Sequence, residues 1–251
     1  MSLLKYKRAG RGYPLVLQHG YFGATPMWQE QIKFFKDKFD VITADLAGFG
    51  ESADLQAPES IEQCAHKLFD LLDSLGIDQF YLLGHSMGGM IVQQMAIMQP
   101  ERIRKLICYG TGPVGILPDR FETLDESRER LKTDGLEATA KRIAATWFVD
   151  GEHGRGFEVC ARVGKMATMQ AAQACLIAWE NWNVKTQLHS ISAPTLVMWG
   201  DRDRSYGWSQ PEALWQGIAD SYLAVLPGCA HNAHMEKPDL FNRLLADFII
   251  D

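Results

Sequence analysis

The chain alternates short apolar runs with helix-length segments, and this pattern restricts it to a small set of folds. The apolar runs are predicted to be buried strands: Leu15–Leu17, Val41–Thr43, Tyr81–Leu83, Leu106–Cys108, Leu196–Met198 and Leu223–Val225. Helical segments are predicted at 27–36, 61–75, 87–98, 210–219 and 240–250. Apolar strands separated by helices are typical of parallel sheets that are covered on both faces. We therefore expect an α/β fold with a mostly parallel central sheet.

The alternation stops between Gly112 and Ile191, where only helical patterns occur. Leu136, Ala140, Ile143 and Trp147 share one predicted helical face, and Val159, Val163 and Met166 share another. We predict a core domain made of residues 1–112 and 191–251, and a helical cap inserted at 113–190. The Met and Trp residues of this cap are predicted to form core and part of a pocket wall.

Composition excludes several classes of protein. With 251 residues, 47% of them hydrophobic, and a net charge of −6, the chain is predicted to bind neither nucleic acid nor an anionic membrane. No segment is long and apolar enough to be predicted as a membrane span. The five scattered cysteines lack C-x-x-C spacing, which predicts neither disulfides nor zinc and favours a reducing cytoplasm. Composition makes no prediction about oligomeric state.

The segment Gly84-His85-Ser86-Met87-Gly88 lies between a predicted strand and a predicted helix. A serine on a sharp strand-to-helix turn needs small neighbours, because its backbone is strained and the helix packs close to the strand. Such a turn exposes the Ser86 hydroxyl and directs the Met87 N–H toward an oxyanion formed beside it. The pattern predicts that Ser86 is a nucleophile.

A serine nucleophile needs a base, and the base needs an acid that orients it. The turn after the Leu196 strand offers Asp201 and Asp203 as acids. The turn after the Leu223 strand offers His231 and His234 as bases. Both turns lie at the carboxyl edge of the predicted sheet, where Ser86 also emerges.

These motifs and their order, Ser then Asp then His, resemble the α/β-hydrolase family. In that family the acid is the last residue of G-x-x-D and the base the last of G-x-x-H. The resemblance implies Asp203 as the acid and His231 as the base. It also implies a parallel sheet with a helical cap. Few residues precede the first strong strand, so the family's leading antiparallel hairpin is expected to be short or partly missing.

The resemblance also extends to the predicted binding site. The pair His19-Gly20 resembles the family's oxyanion loop, which implies that the Tyr21 N–H pairs with the Met87 N–H. This loop lacks the G-x-G-P continuation of the family's carbon–carbon bond hydrolases. The residues predicted to form the substrate pocket are Phe22, Trp147, Met166, Trp179 and Trp182.

The resemblance is greatest to small carboxylesterases and β-ketoadipate enol-lactone hydrolases. It implies hydrolysis of small or medium esters or lactones through an acyl-enzyme, with no cofactor and no metal. Two alternatives stay open at this point. One is a ligand-sensing protein with little turnover, and the other is a serine acyltransferase or perhydrolase.

Overall fold

A computed structural model describes residues 2–118 and 120–250. The strands are β1 Tyr6–Gly10, β2 Tyr13–Gln18, β3 Phe39–Ala44, β4 Phe80–His85, β5 Ile103–Tyr109, β6 Thr195–Gly200 and β7 Ser221–Leu226. The helices are α1 Gln29–Phe35, α2 Ile61–Ser74, α3 Met87–Met98, α4 Leu124–Thr133, α5 Gly135–Thr146, α6 Phe157–Gly164, α7 Met169–Glu180, α8 Ser209–Gly217, α9 Ala233–Glu236 and α10 Pro238–Ile249.

The seven strands form one sheet in the order β1-β3-β2-β4-β5-β6-β7. All neighbouring pairs are parallel except β1 with β3. The predicted α/β fold with a mostly parallel sheet is therefore confirmed. Because the parallel strands end at one edge, the turns after β2, β4, β5, β6 and β7 lie on the same side of the molecule.

The strands bury both of their faces, since successive side chains point to opposite sides. In β2, Val16 belongs to one apolar cluster, whereas Leu15 and Leu17 belong to another. The first cluster includes residues of α2 and α3, and the second includes Phe241 and Leu245 of α10. Helices thus cover the sheet on both sides.

Segment 113–190, the predicted cap, lies between β5 and β6 and contains α4, α5, α6 and α7. Within its described residues, β pairing is limited to an isolated bridge between Val114 and Asn183. Main-chain hydrogen bonds join the segment to the core: Thr168 N donates to Gly48 O at 2.9 Å, and Asn232 N donates to Trp147 O at 2.9 Å. No helix among the described residues has the length and hydropathy needed to cross a bilayer.

One end of the sheet differs from the sequence prediction. Strand β7 was expected to be buried, but Tyr222 is 57% and Val225 is 42% exposed. The reason is that β7 is an edge strand, which has a neighbour on one side only. At the other edge the short antiparallel strand β1 is present, paired with β3.

Candidate active site

Ser86 lies on a strained turn between β4 and α3. Its backbone angles are φ 58° and ψ −124°, in a region that residues with side chains rarely adopt. Such a conformation costs about 1–3 kcal/mol and persists only where its surroundings hold it. Ser86 N donates to Tyr109 O at 3.0 Å. Ser86 O accepts from Gly89 N and Thr111 Oγ1, both at 2.8 Å. These bonds fix the turn.

The glycines around Ser86 are required by close packing of α3 against the sheet. A Cβ at Gly84 would lie 2.2 Å from Gly88 O, and one at Gly88 would lie 2.4 Å from Gln18 O. Neither approach leaves room for a side chain. The sharp strand-to-helix turn therefore depends on the residue types that the G-x-S-x-G pattern supplies.

The loop after β2 runs beside Ser86. A Cβ at Gly20 would lie 2.8 Å from Ser86 Cβ and 3.0 Å from Met87 N. Among the described residues, neither the Tyr21 N–H nor the Met87 N–H donates a hydrogen bond to another group of the chain. His19 shapes this loop, because its Nδ1 donates to Gly20 O at 2.8 Å and its Nε2 accepts from Leu46 N at 3.0 Å.

His231 and Asp203 form a buried pair at the ends of β7 and β6. The two atoms His231 Nδ1 and Asp203 Oδ2 are 2.8 Å apart, and the side chains are 1% and 0% exposed. Asp203 Oδ1 accepts from the N–H groups of Ser205 at 2.7 Å and Tyr206 at 3.1 Å. Gly110 has a φ of 51°, and a Cβ there would lie 3.2 Å from His231 Nδ1, so backbone conformation and packing both favour glycine after β5.

This pair fixes the tautomer of the imidazole. A carboxylate only accepts hydrogen bonds, so Nδ1 of His231 carries the proton and Nε2 of the neutral ring keeps its lone pair. The His231 carbonyl accepts from His85 Nε2 at 3.0 Å and Tyr109 Oη at 2.7 Å, which holds the main chain at this position. The arrangement suits a general base whose free nitrogen is Nε2.

Asp201 and His234, the alternative acid and base, lie in other surroundings. Asp201 Oδ1 accepts from Gly228 N at 2.6 Å and so closes the turn after β7. His234 is fully buried against Trp28, with ring centroids 4.7 Å apart, and its Nδ1 lies 3.1 Å from Tyr109 Oη. Burial lowers the pKa of His234 to about 3, which keeps this ring neutral.

Buried histidines are expected to make the fold sensitive to acid. Burial lowers the pKa values of His19, His85 and His234. Below pH of about 6.5 the unfolded chain takes up protons at these rings and the folded chain does not. The free energy of unfolding should therefore fall with decreasing pH, and His234 alone contributes a slope of up to about 1.4 kcal/mol per pH unit. The loss for His234 extends from that pH down to about 3.

Urea denaturation at pH values between 7 and 5 measures this loss in the free energy of unfolding. The window of about two pH units is set by the unperturbed pKa of histidine. His234→Gln should reduce the slope of the free energy of unfolding against pH. His189→Gln changes an exposed ring and is the matched control, expected to keep the wild-type slope. A free energy of unfolding that does not change over this window would contradict the expectation.

A narrow cavity adjoins Ser86. Its volume is about 20 Å³, which corresponds to room for about one water molecule. It is lined by Tyr21, Ser86, Leu117, Arg120, Phe121, Ile143, Trp147, Trp179, Ser205 and Tyr206. Core loops and the segment 113–190 thus contribute to the same wall.

Of the predicted pocket residues, Trp147 and Trp179 line this cavity, and the other three lie elsewhere. Phe22 is buried against Tyr21, with ring centroids 4.1 Å apart. Trp182 packs toward α3, where its Nε1 donates to Gln94 Oε1 at 3.2 Å. Met166 is 36% exposed and borders a different depression. Met166 follows the end of α6, so it leaves the helical face that it shares with Val159 in the sequence pattern.

Sequence reasoning missed three polar residues of the cavity wall, Arg120, Ser205 and Tyr206. Tyr206 stacks on His231, with ring centroids 5.6 Å apart and an interplanar angle of 10°. The sequence does indicate that Tyr206 lies at the site. It stands three residues after Asp203, in a turn that must approach His231. Arg120 lies in a loop before α4, and no sequence pattern indicates that its side chain is buried.

Known proteins share this fold and sequence pattern. The family model for the alpha/beta hydrolase fold matches residues 13–238. The 3-oxoadipate enol-lactonase 2 of Acinetobacter baylyi is 31% identical over 86% of this chain and 80% of its own. The 2-hydroxy-6-oxo-6-phenylhexa-2,4-dienoate hydrolase of Comamonas testosteroni is 29% identical, over 98% and 91%. The crystal structure of the enol-lactonase from Burkholderia xenovorans superposes with a TM-score of 0.90 at 23% identity, covering 99% and 96%.

The chain therefore belongs to the α/β-hydrolase fold family. The relatives described above are named as hydrolases of different substrates, a lactone in one case and a dienoate in the other. Within this family the protein is accordingly a hydrolase.

Proposed function

We propose that this hydrolase cleaves small or medium carboxylic esters or lactones through an acyl-enzyme. The observation that carries the proposal is the buried 2.8 Å hydrogen bond between His231 and Asp203, at the sheet edge where the strained Ser86 turn lies. A nucleophile, a base with a fixed tautomer and an orienting acid are the groups that acyl transfer requires. The enol-lactonase relative supports a substrate of this class.

In the proposed reaction, His231 Nε2 removes the Ser86 hydroxyl proton as Oγ bonds to the carbonyl carbon. The carbonyl electron pair moves onto oxygen and forms a tetrahedral oxyanion. When the carbon–oxygen bond to the leaving group breaks, His231 returns the proton to the departing alkoxide. Water then attacks the acyl carbon and gives a proton to His231, which passes it to Ser86 Oγ as the acid leaves.

The N–H groups of Tyr21 and Met87 form the proposed oxyanion hole. Gly20 runs within van der Waals contact of Ser86, and Met87 N begins helix α3, where the helix dipole favours negative charge. Each donor to an oxyanion is worth about 3 kcal/mol in the transition state. Because both donors are main-chain groups, substitutions at Tyr21 or Met87 test this role less directly than substitutions in the triad.

Asp203→Asn should lower kcat by about 10⁴ while the fold is kept. The two N–H groups that face Oδ1 will hold the amide oxygen there, so the amide nitrogen must face His231 Nδ1. That nitrogen donates, which forces the proton of the ring onto Nε2 and removes the base. Asp201→Asn is the matched control and should lose far less. Equal rates for wild type and Asp203→Asn would mean that the acid lies elsewhere.

Long-chain lipids should be poor substrates, because segment 113–190 forms part of the cavity wall and is hydrogen-bonded to the core. Besides its main-chain bonds to the core, the Gln170 side chain accepts from Ala57 N at 2.9 Å and donates to Ala57 O at 3.0 Å. An anchored cap limits the length of chain that can enter. Hydrolysis rates of p-nitrophenyl esters of increasing acyl length measure this. The fastest rates on emulsified long-chain triglycerides would contradict it.

The proposal itself is tested with a panel of short p-nitrophenyl esters, alkyl esters and lactones, with peptide mapping of the enzyme during turnover. We expect hydrolysis and a transient acyl group on the peptide that carries Ser86. Parallel assays with a competing alcohol or peroxide should yield mainly the free acid. Predominant transfer to the competitor would favour an acyltransferase or perhydrolase, and absence of turnover would favour a ligand-sensing protein.

A further inference from the structure

Strand β7 leaves a row of main-chain groups without a strand partner. Asp220, just before the strand, directs its carbonyl at β6, where it accepts from Thr195 N at 2.8 Å. The main-chain groups of successive residues in a strand point alternately to its two neighbours. The N–H and C=O groups of Ser221, Leu223 and Val225 therefore point away from β6. No other strand among the described residues lies on that side.

The side chains exposed along this edge are apolar. Tyr222 and Val225 are exposed, and β7 contains neither a charged residue nor a proline. Exposed apolar residues also flank the strand: Trp215 of α8, whose carbonyl accepts from Ser221 Oγ, and Ile250 after α10. Proteins usually protect a free sheet edge with charged residues, with proline or with another part of the chain. An apolar edge without these features is suited to pairing with another strand.

The opposite edge of the sheet has the usual protection. Strand β1 is also an edge strand, but it carries Lys7 and Arg8. Arg8 Nε donates to Asp40 Oδ1 at 2.9 Å, so an ion pair lies along this edge. Charged groups on an edge disfavour association, because another strand would have to remove water from them. The two edges therefore differ, and β7 is the one suited to an interface.

We infer that β7 pairs in antiparallel orientation with β7 of a second copy of this chain, so that one sheet continues across a two-fold axis. The partner is a second copy because the edge is complementary to itself. With the axis at Leu223, Ser221 of each copy lies opposite Val225 of the other, and every outward N–H and C=O of the three residues is paired. The inference goes beyond the proposed reaction and does not depend on it.

The same register places large side chains opposite small ones. Tyr222 of one copy lies opposite Ala224 of the other, in a pair without hydrogen bonds, where side chains approach most closely. The Tyr222 ring also contacts Phe248 of α10, with ring centroids 6.0 Å apart, so it already stands over the α10 face of the sheet. From there it can cover the methyl group of Ala224 in the second copy. Such pairing would bury the strand that the sequence pattern predicts to be buried.

Charges at the two ends of this interface are also complementary. Asp220 lies opposite Leu226 of the second copy and therefore next to its Pro227, whose carbonyl accepts from Lys237 Nζ. Asp220 and Lys237 are both exposed, and neither forms an ion pair with another described residue. The two-fold axis repeats this contact, so each carboxylate faces an ammonium group of the other copy. Opposite charges at the rim of an interface favour one register over others.

Light scattering coupled to size-exclusion chromatography, at about 1 to 100 μM protein, tests the pairing. Wild type should have twice the 28.2 kDa mass of one chain. Tyr222→Lys adds a charge on both sides of the axis and should raise the dissociation constant at least about tenfold. Phe34→Lys changes an exposed apolar residue of α1 and is the matched control, expected to dimerise like wild type. A wild type that stays monomeric, or a dissociation constant that Tyr222→Lys leaves unchanged, overturns the inference.

A charge exchange tests the register and keeps the test decisive if Tyr222→Lys fails to fold. Asp220→Lys and Lys237→Asp each bring like charges together across the interface, so each should raise the dissociation constant about tenfold. The double variant Asp220→Lys/Lys237→Asp restores opposite charges and should return to within about threefold of wild type. A double variant that associates no better than either single variant would overturn the proposed pairing.

Discussion

Ser86→Ala is expected to lower kcat for short esters by on the order of 10⁶, because no other group can form the acyl-enzyme. The turn at position 86 is held by main-chain bonds and by Thr111, so loss of the hydroxyl should leave the fold intact. Initial rates on p-nitrophenyl butyrate, together with thermal unfolding of both proteins, measure the two effects.

Ser74→Ala is the matched control, because it removes a hydroxyl at the end of α2 whose bond is to Leu71 O. That variant should keep the wild-type rate. Retention of most activity in a purified, folded Ser86→Ala protein would exclude Ser86 as the nucleophile and with it the proposed mechanism.

His231→Ala should have an effect of similar size, on the order of 10⁶ in kcat, since the base and the nucleophile act as one unit. His234→Ala removes a buried ring in contact with Trp28 and Tyr109, so it should lower the Tm. Its kcat should change far less, because His234 Nδ1 faces Tyr109 Oη and the ring lies outside the cavity lining.

Rates per folded molecule, with folded protein quantified by near-UV circular dichroism, separate loss of catalysis from loss of fold. The double variant His231→Ala/Ser86→Ala should be about as slow as either single variant. If His234→Ala were the slower of the two histidine variants, the base would have been assigned to the wrong ring.

Much of the fold follows from local patterns in the chain. Runs such as Leu15–Leu17 and Leu106–Cys108 predict buried parallel strands. A strand with apolar side chains on both of its faces must be covered by other elements on both faces. The turn at Ser86 is equally local, since the glycines that permit it stand beside it in the sequence. Strand β7 departs from the expectation because its apolar residues lie at an edge, and edge position depends on strand order.

The cavity wall was less predictable, because it depends on how segment 113–190 packs on the core. The helical pattern that relates Met166 to Val159 ends when α6 ends, and Met166 lies at another depression. Trp147 and Trp179 do line the cavity, but Trp182 faces α3. The Arg120 side chain is buried by contacts with residues distant in the sequence. Hydrophobic periodicity and motif spacing do not predict such contacts.

Labelling with an organophosphonate is the most direct test of the central claim, because it detects an activated serine without reference to any substrate. Intact-mass spectrometry of the wild-type protein should show one adduct, and peptide mapping should assign it to Ser86. Asp203→Asn and His231→Ala should react much more slowly, since the hydroxyl is then no longer activated. An adduct that persists on Ser86→Ala, or a wild-type protein that stays unlabelled, would contradict the account.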